Sequence, residues 1–436
     1  MEIIEPKSLP GTMELLPGDQ MLFDEIKNKI EKVYKSFGFL PIDTPAIERS
    51  DVLLAKAGGE TEKQIYRFNK GDNDLCLRFD LTVPLAKYVA ANINDLEFPF
   101  KRYQIAKVYR GEKAQKGRYR EFYQADIDII GKGELSLYND SECVSVIYNI
   151  FKELNFGPFV ININNRKIVS GLLAELGLED KKMEVMRILD KKDKIGEEAV
   201  TELLEELGVN KNSIKMLKNF AGIKGSLKEV VEKLVSLKIK NSLYKEGVGE
   251  LALVGSRLFE LGVPEENFKV NLSIVRGLDY YTGTVFETFL TKYPNIGSVC
   301  SGGRYDNLAG FYTKEKLPGV GISIGLTRLF YQLREANLIK TDKLSLIDVL
   351  VLPFEEKFLP IACMVGKTIR EQGLNVQVFA EDKKFKNKLA YADKLNIPYV
   401  VIIGEDEAKG KYVTIKNMKT HEQQNVGFKD LSKFFK

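Results

Sequence analysis

Four separated segments carry residues able to hold charge: Leu77-Arg78-Phe79-Asp80-Leu81-Thr82-Val83-Pro84, the stretch around Arg110, Arg276-Gly277-Leu278-Asp279-Tyr280-Tyr281-Thr282-Gly283, and the run Gly319 to Arg328. Guanidinium groups bind phosphate and carboxylate in paired hydrogen bonds, and carboxylates and amides accept from ammonium and ring N–H groups. The Gly319 run has neither the Gly-x-Gly-x-x-Gly spacing nor a following Gly-Lys-Ser/Thr, so a phosphate there would fall to Arg328. Between Lys101 and Arg120 eight basic residues are opposed only by Glu112, which suits either a solvated face or a nucleic-acid surface. His421 is the single histidine, which excludes histidine dyads, triads and multi-histidine metal sites. Cys76, Cys143, Cys300 and Cys363 form no Cys-x-x-Cys pair, so no zinc knuckle or disulfide framework is expected, and all four are predicted to be buried thiols.

These residues need elements to position them. Period-two alternation over the second of two strands between 100 and 130 puts Phe122, Gln124, Asp126 and Asp128 on one face and Tyr123, Ala125, Ile127 and Ile129 on the other. The polar face is either wet or a binding floor. Apolar residues recur at helical spacing from Met21 to Phe37, and Gly38 is placed to end that helix. Pro41 and Pro45 make the next stretch an edge strand or interface element.

With 436 residues, more than one core is expected. Residues 1–164 and 263–340 hold the four segments, whereas 165–262, rich in Leu, Glu and Lys, predicts an inserted helical module. From 341 to 436 strands at Ile347–Leu352, Leu374–Phe379 and Tyr399–Ile403 alternate with helices near Phe358–Gln372 and Lys386–Leu395, which predicts a small α/β domain with parallel strands. The formal charge of +4 is too small to imply nucleic-acid binding alone. No apolar run could span a bilayer and Met1 to Pro6 has no secretory pattern, so a cytoplasmic protein is expected.

Taken together, the segments resemble those of the histidyl-tRNA synthetase family of class II aminoacyl-tRNA synthetases. The stretch through Pro45 resembles motif 1, the strands around Arg110 motif 2, and Gly319 to Arg328 motif 3. Arg276 to Gly283 and Ser301-Gly302-Gly303-Arg304-Tyr305-Asp306-Asn307-Leu308 resemble the two histidine-specific segments. The resemblance implies an α+β fold: an antiparallel-sheet catalytic core with a helical insertion, then an anticodon-binding α/β domain. It implies activation of L-histidine by ATP with Mg²⁺, transfer to tRNA(His), and a homodimer with motif 1 at its interface.

For the site, the resemblance implies that Arg110 holds the α-phosphate and Arg118 and Arg328 the outer phosphates, with Phe122 stacked on adenine and Glu112 near it. Arg276 would stand across the α-phosphate from Arg110, where relatives place a metal ion. Asp80, Thr82 and Gln124 would hold the α-amino group, Asp128 and Tyr281 would read the imidazole, and Leu81 and Tyr280 would belong to the same pocket. Mg²⁺ would enter on the ATP phosphates, with no protein metal site. The loop Gly111 to Gly117 would face the tRNA acceptor end. Thr327 departs from the motif 3 pattern, which more often has an acidic residue there. The alternative is a paralogue serving as a non-catalytic regulatory subunit of ATP phosphoribosyltransferase, although such proteins usually lack the Arg276 segment and the last domain.

Overall fold

The computed structural model describes residues 3–55, 60–112, 117, 119–190, 192–274, 281–306 and 309–435. Its contacts divide the chain into one unit of residues 1–14 and 26–339 and another of 15–25 and 340–436. Among the described residues, the first unit holds strands β1 (Leu40–Pro41), β2 (Ile47–Arg49), β3 (Arg67–Lys70), β4 (Asn73–Leu77), β5 (Phe100–Tyr109), β6 (Glu121–Ile130), β7 (Phe159–Asn165), β8 (Phe268–Val270), β9 (Thr284–Leu290), β10 (Ser298–Tyr305) and β11 (Gly319–Gly325). An eight-stranded sheet runs β1-β5-β6-β11-β10-β9-β7-β8, and a small sheet runs β2-β4-β3. The large sheet is antiparallel except at its two edges, where β1 and β8 lie parallel to their neighbours. The proline-bearing β1 occupies an edge, where a missing backbone N–H costs no ladder bond.

Helices cover one face of this sheet. The helix Pro17–Ser36 begins on a proline, whose fixed φ suits the first helical position, and is followed by Gly38 at φ 79°. Its Tyr34 is fully buried and donates to the Ala125 carbonyl of β6 at 2.9 Å. The helix Tyr138–Leu154 brings Asp140 to Arg304 of β10, whose Nε lies 3.0 Å from the carboxylate. Ala125, Ile127 and Ile129 are completely buried on this side. The predicted alternation of β6 is therefore real, with an apolar back face.

Between β7 and β8 the described residues are helical, including Arg166–Glu175 and Ser242–Glu260. These two helices approach so closely that glycine is required. A Cβ on Gly171 would stand 2.3 Å from the Tyr244 nitrogen, and one on Gly247 would stand 2.7 Å from the Ile168 nitrogen.

In the second unit, β12 (Val349–Pro353), β13 (Val376–Val378), β14 (Tyr399–Ile403), β15 (Tyr412–Asn417) and β16 (Gln423–Gly427) form a sheet in the order β13-β12-β14-β15-β16. The first three are parallel, as the sequence predicts, but β15 and β16 add an antiparallel hairpin that it did not reveal. The Val-Leu-Val-Leu run of β12 is buried on both faces: Val349 and Val351 join the core of helix Leu359–Arg370, and Leu350 and Leu352 join that of helix Phe385–Lys394. His421 is exposed at φ 62° in the turn of the hairpin. Cys76, Cys143 and Cys300 are buried thiols, but Cys363 is exposed on a helix face that the count of cysteines could not distinguish. Among the described residues no helix is long and apolar enough to cross a membrane.

Gly171→Ala should lower stability by about 1–3 kcal/mol or more, since the added methyl meets backbone rather than a movable side chain. Equilibrium denaturation measures this, and an unchanged midpoint would show that the helix pair can part without cost.

Candidate active site

The uncovered face of β6 is the floor of a cavity of about 550 Å³ within the first unit. Phe122, Gln124, Asp126 and Asp128 all line it, so the alternation marks a floor and not a wet face. Register brings the neighbours into line: Asp128 lies beside Arg102 of β5 and Gly321 of β11, and Asp126 lies beside Gln104 and Ser323. Asp80, Thr82 and Tyr281 add walls from the segments flanking the sheet.

Glycines make room on this face. A Cβ on Gly321 would stand 2.2 Å from Asp128 Oδ1, one on Gly319 2.4 Å from the Tyr305 ring, and one on Gly303 3.0 Å from the Tyr281 ring. The glycine-rich run is thus accounted for by side-chain packing rather than by a phosphate cradle. Any larger residue at 321 would displace the carboxylate from the floor.

Three buried carboxylates meet here. Asp80 accepts from the Thr82 and Val83 backbone N–H groups at 3.1 and 2.9 Å, although burial raises its pKa above the usual carboxylate value. Asp128 Oδ1 accepts from the Tyr305 hydroxyl at 2.8 Å, and Oδ2 is paired with Arg102 Nη2. Burial raises Asp128 to about 6 against the pull of Arg102, and raises Asp126 to about 7. The Gln124 amide donates to Ser323 Oγ at 2.7 Å, which fixes its direction on the floor.

At the other end of the cavity stand Arg110, Glu112, Phe122 and Arg328. The Arg110 guanidinium lies 4.4 Å from the Phe79 ring centroid and 5.1 Å from that of Phe122, and its Nε donates to the Phe79 carbonyl at 3.3 Å. Aromatic faces on two sides orient such a group. Arg328 sits in the first turn of helix Leu326–Glu335 and donates to the Ile296 carbonyl at 3.4 Å. Thr327 is buried, and its hydroxyl accepts from the Tyr123 N–H at 2.8 Å, locking that helix to β6. In this chain the position therefore serves packing.

Among the described residues, the cavity brings together Asp80, Thr82, Arg110, Glu112, Phe122, Gln124, Asp128, Tyr281 and Arg328. Leu81 is fully buried beside Ala106 and Val108 and does not line it; its carbonyl accepts from Arg102 at 3.4 Å. Arg118, Arg276 and Tyr280 lie outside the described residues. The basic run is not one surface: Lys101 pairs with Glu142, Arg102 with Asp128, and Lys107 with Glu121. Reasoning from sequence missed Arg102, Ser323 and Tyr305. Asp126 could have been found, because it shares the strand face with Gln124 and Asp128, but Arg102 needs the register between β5 and β6.

The elevated pKa values of Asp126 and Asp128 have a stability consequence. An acid whose folded pKa exceeds its unfolded value, about 3.9, favours folding below that value and loses the contribution as pH rises through the folded one. Asp126 therefore gives up stability between about pH 4 and about 7. Asp126→Asn should unfold at higher denaturant than the parent at pH 8, with the gain vanishing near pH 4; a gain independent of pH would contradict the burial of that charge.

A family model described as histidyl-tRNA synthetase matches residues 11–329, and one described as anticodon binding domain matches 348–436. The chain is 55% identical to the histidine--tRNA ligase of Clostridium tetani over 100% of this chain and 99% of that one. It is 52% identical to that of Finegoldia magna over 97% of each. The histidyl-tRNA synthetase structure from Nostoc sp. PCC 7120 is similar at a TM-score of 0.90 and 40% identity, covering 99% of this chain and 98% of that one. A structure from Bacillus halodurans C described as an ATP phosphoribosyltransferase regulatory subunit/histidyl-tRNA synthetase, at 22% identity and TM-score 0.77, covers 92% of this chain and 99% of that one and shares the fold. The chain belongs to the histidyl-tRNA synthetase family of class II aminoacyl-tRNA synthetases.

Proposed function

We propose that this chain activates L-histidine with ATP and transfers it to the 3′ end of tRNA(His). The observation that carries the reading is one cavity lined at one end by carboxylates and an amide (Asp80, Asp128, Gln124) and at the other by a basic and aromatic group (Arg110, Phe122, Arg328). In the first step an oxygen of the histidine carboxylate attacks the α-phosphorus, and the bond to pyrophosphate breaks. In the second a terminal ribose hydroxyl of tRNA attacks the acyl carbon, and AMP leaves. Charge builds on phosphate oxygens in the first step, so fixed guanidinium groups supply stabilisation and no side-chain nucleophile is needed.

Arg110 is assigned to the α-phosphate and Arg328, with Arg118, to the outer phosphates. Phe122 is assigned to the adenine face and Glu112 to its neighbourhood. Arg276 is assigned to the developing charge opposite Arg110. Asp80, Thr82 and Gln124 would take the ammonium, and Asp128 and Tyr281 the two ring nitrogens, with Tyr280 adjoining them. Among the described residues no group of three or more His, Cys, Asp or Glu could hold a metal ion. Mg²⁺ would enter such a site on phosphate oxygens and water and would supply neutralisation of phosphate charge there. Residues 348–436 would bind the anticodon end of the tRNA, and the loop Gly111 to Gly117 would face its acceptor end. The exposed Leu40 and Ile47 near motif 1 favour a homodimer, which sedimentation would detect, and the setting is the cytoplasm.

Purified protein should catalyse ATP–pyrophosphate exchange with histidine and with none of a panel of other amino acids; folded protein without exchange would overturn the proposal and leave the regulatory paralogue. Asp128→Ala should raise the histidine KM by about tenfold to several hundredfold while tRNA affinity stays within about twofold. Loss of tRNA affinity instead would displace the pocket assignment. Arg276→His should slow adenylate formation far more than it weakens ATP binding, and equal losses in both would remove its role in the transition state.

A further inference from the structure

We propose that Arg102 is a positioning residue that holds Asp128 ionised and oriented, and so sets the affinity of the pocket for a ring N–H. The inference rests on the histidine reading above.

Arg102 is completely buried and is aligned with Asp128 across β5 and β6. Its Nη2 pairs with Asp128 Oδ2, while the Tyr305 hydroxyl donates to Oδ1. The two donors fix the plane of the carboxylate and both favour its charged form. Burial and the like-charged neighbour Asp80 oppose that charge. The groups facing this cluster are Tyr34 from the covering helix, Arg102 from β5, Asp126 from β6, Tyr305 and Cys300 from β10, Asp80 from the segment before helix Thr82–Ala91, and Cys143 from helix Tyr138–Leu154. Burial holds the phenols and thiols neutral, which leaves Arg102 as the cation in contact with Asp128.

A purely structural arginine is a poor explanation. Its Nε and Nη1 are buried with no hydrogen-bond partner, so the ion is desolvated without full return. Apolar side chains of similar volume often replace such pairs with no loss of stability. What an apolar side chain cannot do is keep Asp128 an acceptor. A protonated Asp128 carries an O–H donor and offers an imidazole N–H only a weaker, uncharged acceptor.

The test is the pH dependence of kcat/KM for histidine in ATP–pyrophosphate exchange. Wild-type activity with histidine first establishes the pocket reading independently. Arg102→Met should then move the acidic limb up by about two pH units. The histidine KM should rise roughly tenfold or more near pH 6.5 and recover towards wild type near pH 8.5, with the ATP KM unchanged. The substrate imidazole itself titrates near about 6.5, but it is common to all variants, so the displacement reports the protein group. Arg102→Lys, which keeps the charge, should move the limb less than Met does, and it carries the test if the Met variant does not fold. A histidine KM raised equally at both pH values, or a limb unmoved in every variant, would overturn the proposal.

Discussion

Putting carboxylates on the inward face of a central strand is the constraint on which the rest of this molecule depends. Asp126 and Asp128 are nearly inaccessible, and a buried carboxylate is costly unless donors surround it. The neighbouring strands meet that demand in part, with Arg102 from β5, Tyr305 from β10 and Ser323 from β11, while Asp126 Oδ1 is left without a partner. Space has to be made for these side chains, and Gly303, Gly319 and Gly321 make it. The back face must in turn be rigid, which the Tyr34 hydroxyl on the Ala125 carbonyl and the Asp140 ion pair with Arg304 provide. A floor of this kind suits a small cationic or N–H-rich ligand and excludes apolar ones.

The opposite end of the cavity follows a different logic. Arg110 is oriented by the rings of Phe79 and Phe122, which keep a guanidinium at this end of the cavity. Arg328 is placed by the start of a helix that Thr327 fastens to β6. A ligand with a cationic end and a polyanionic end would span the two, as an amino acid reacting with a nucleotide does in the proposed function.

Local pattern carried much of this into the sequence. Alternation identified the β6 face, and Tyr399–Ile403 has the bounds in the structure that its apolar run indicated. What stayed hidden depends on pairing between distant segments. Arg102 looked like one member of a basic run until register put it against Asp128. The glycines of β11 were read through a family likeness, but their physical reason is a side chain on another strand. Arg78, within a segment singled out for its charge, is spent on the Lys107 carbonyl at 2.7 Å and on the Thr44 carbonyl. The hairpin of β15 and β16 escaped because Gln423–Gly427 is too polar to announce a strand.

The central claim is that this floor, together with Tyr281, reads both nitrogens of an imidazole. Equilibrium binding of L-histidine against its two ring-N-methylated forms tests it most directly. Each methyl blocks one nitrogen as a hydrogen-bonding partner and needs space that the floor does not offer. Both forms should bind at least roughly a hundredfold more weakly than histidine, because each leaves a buried polar group unpaired. If either binds within a few-fold of histidine, the nitrogen it blocks is not read by this pocket and the account of the floor is wrong.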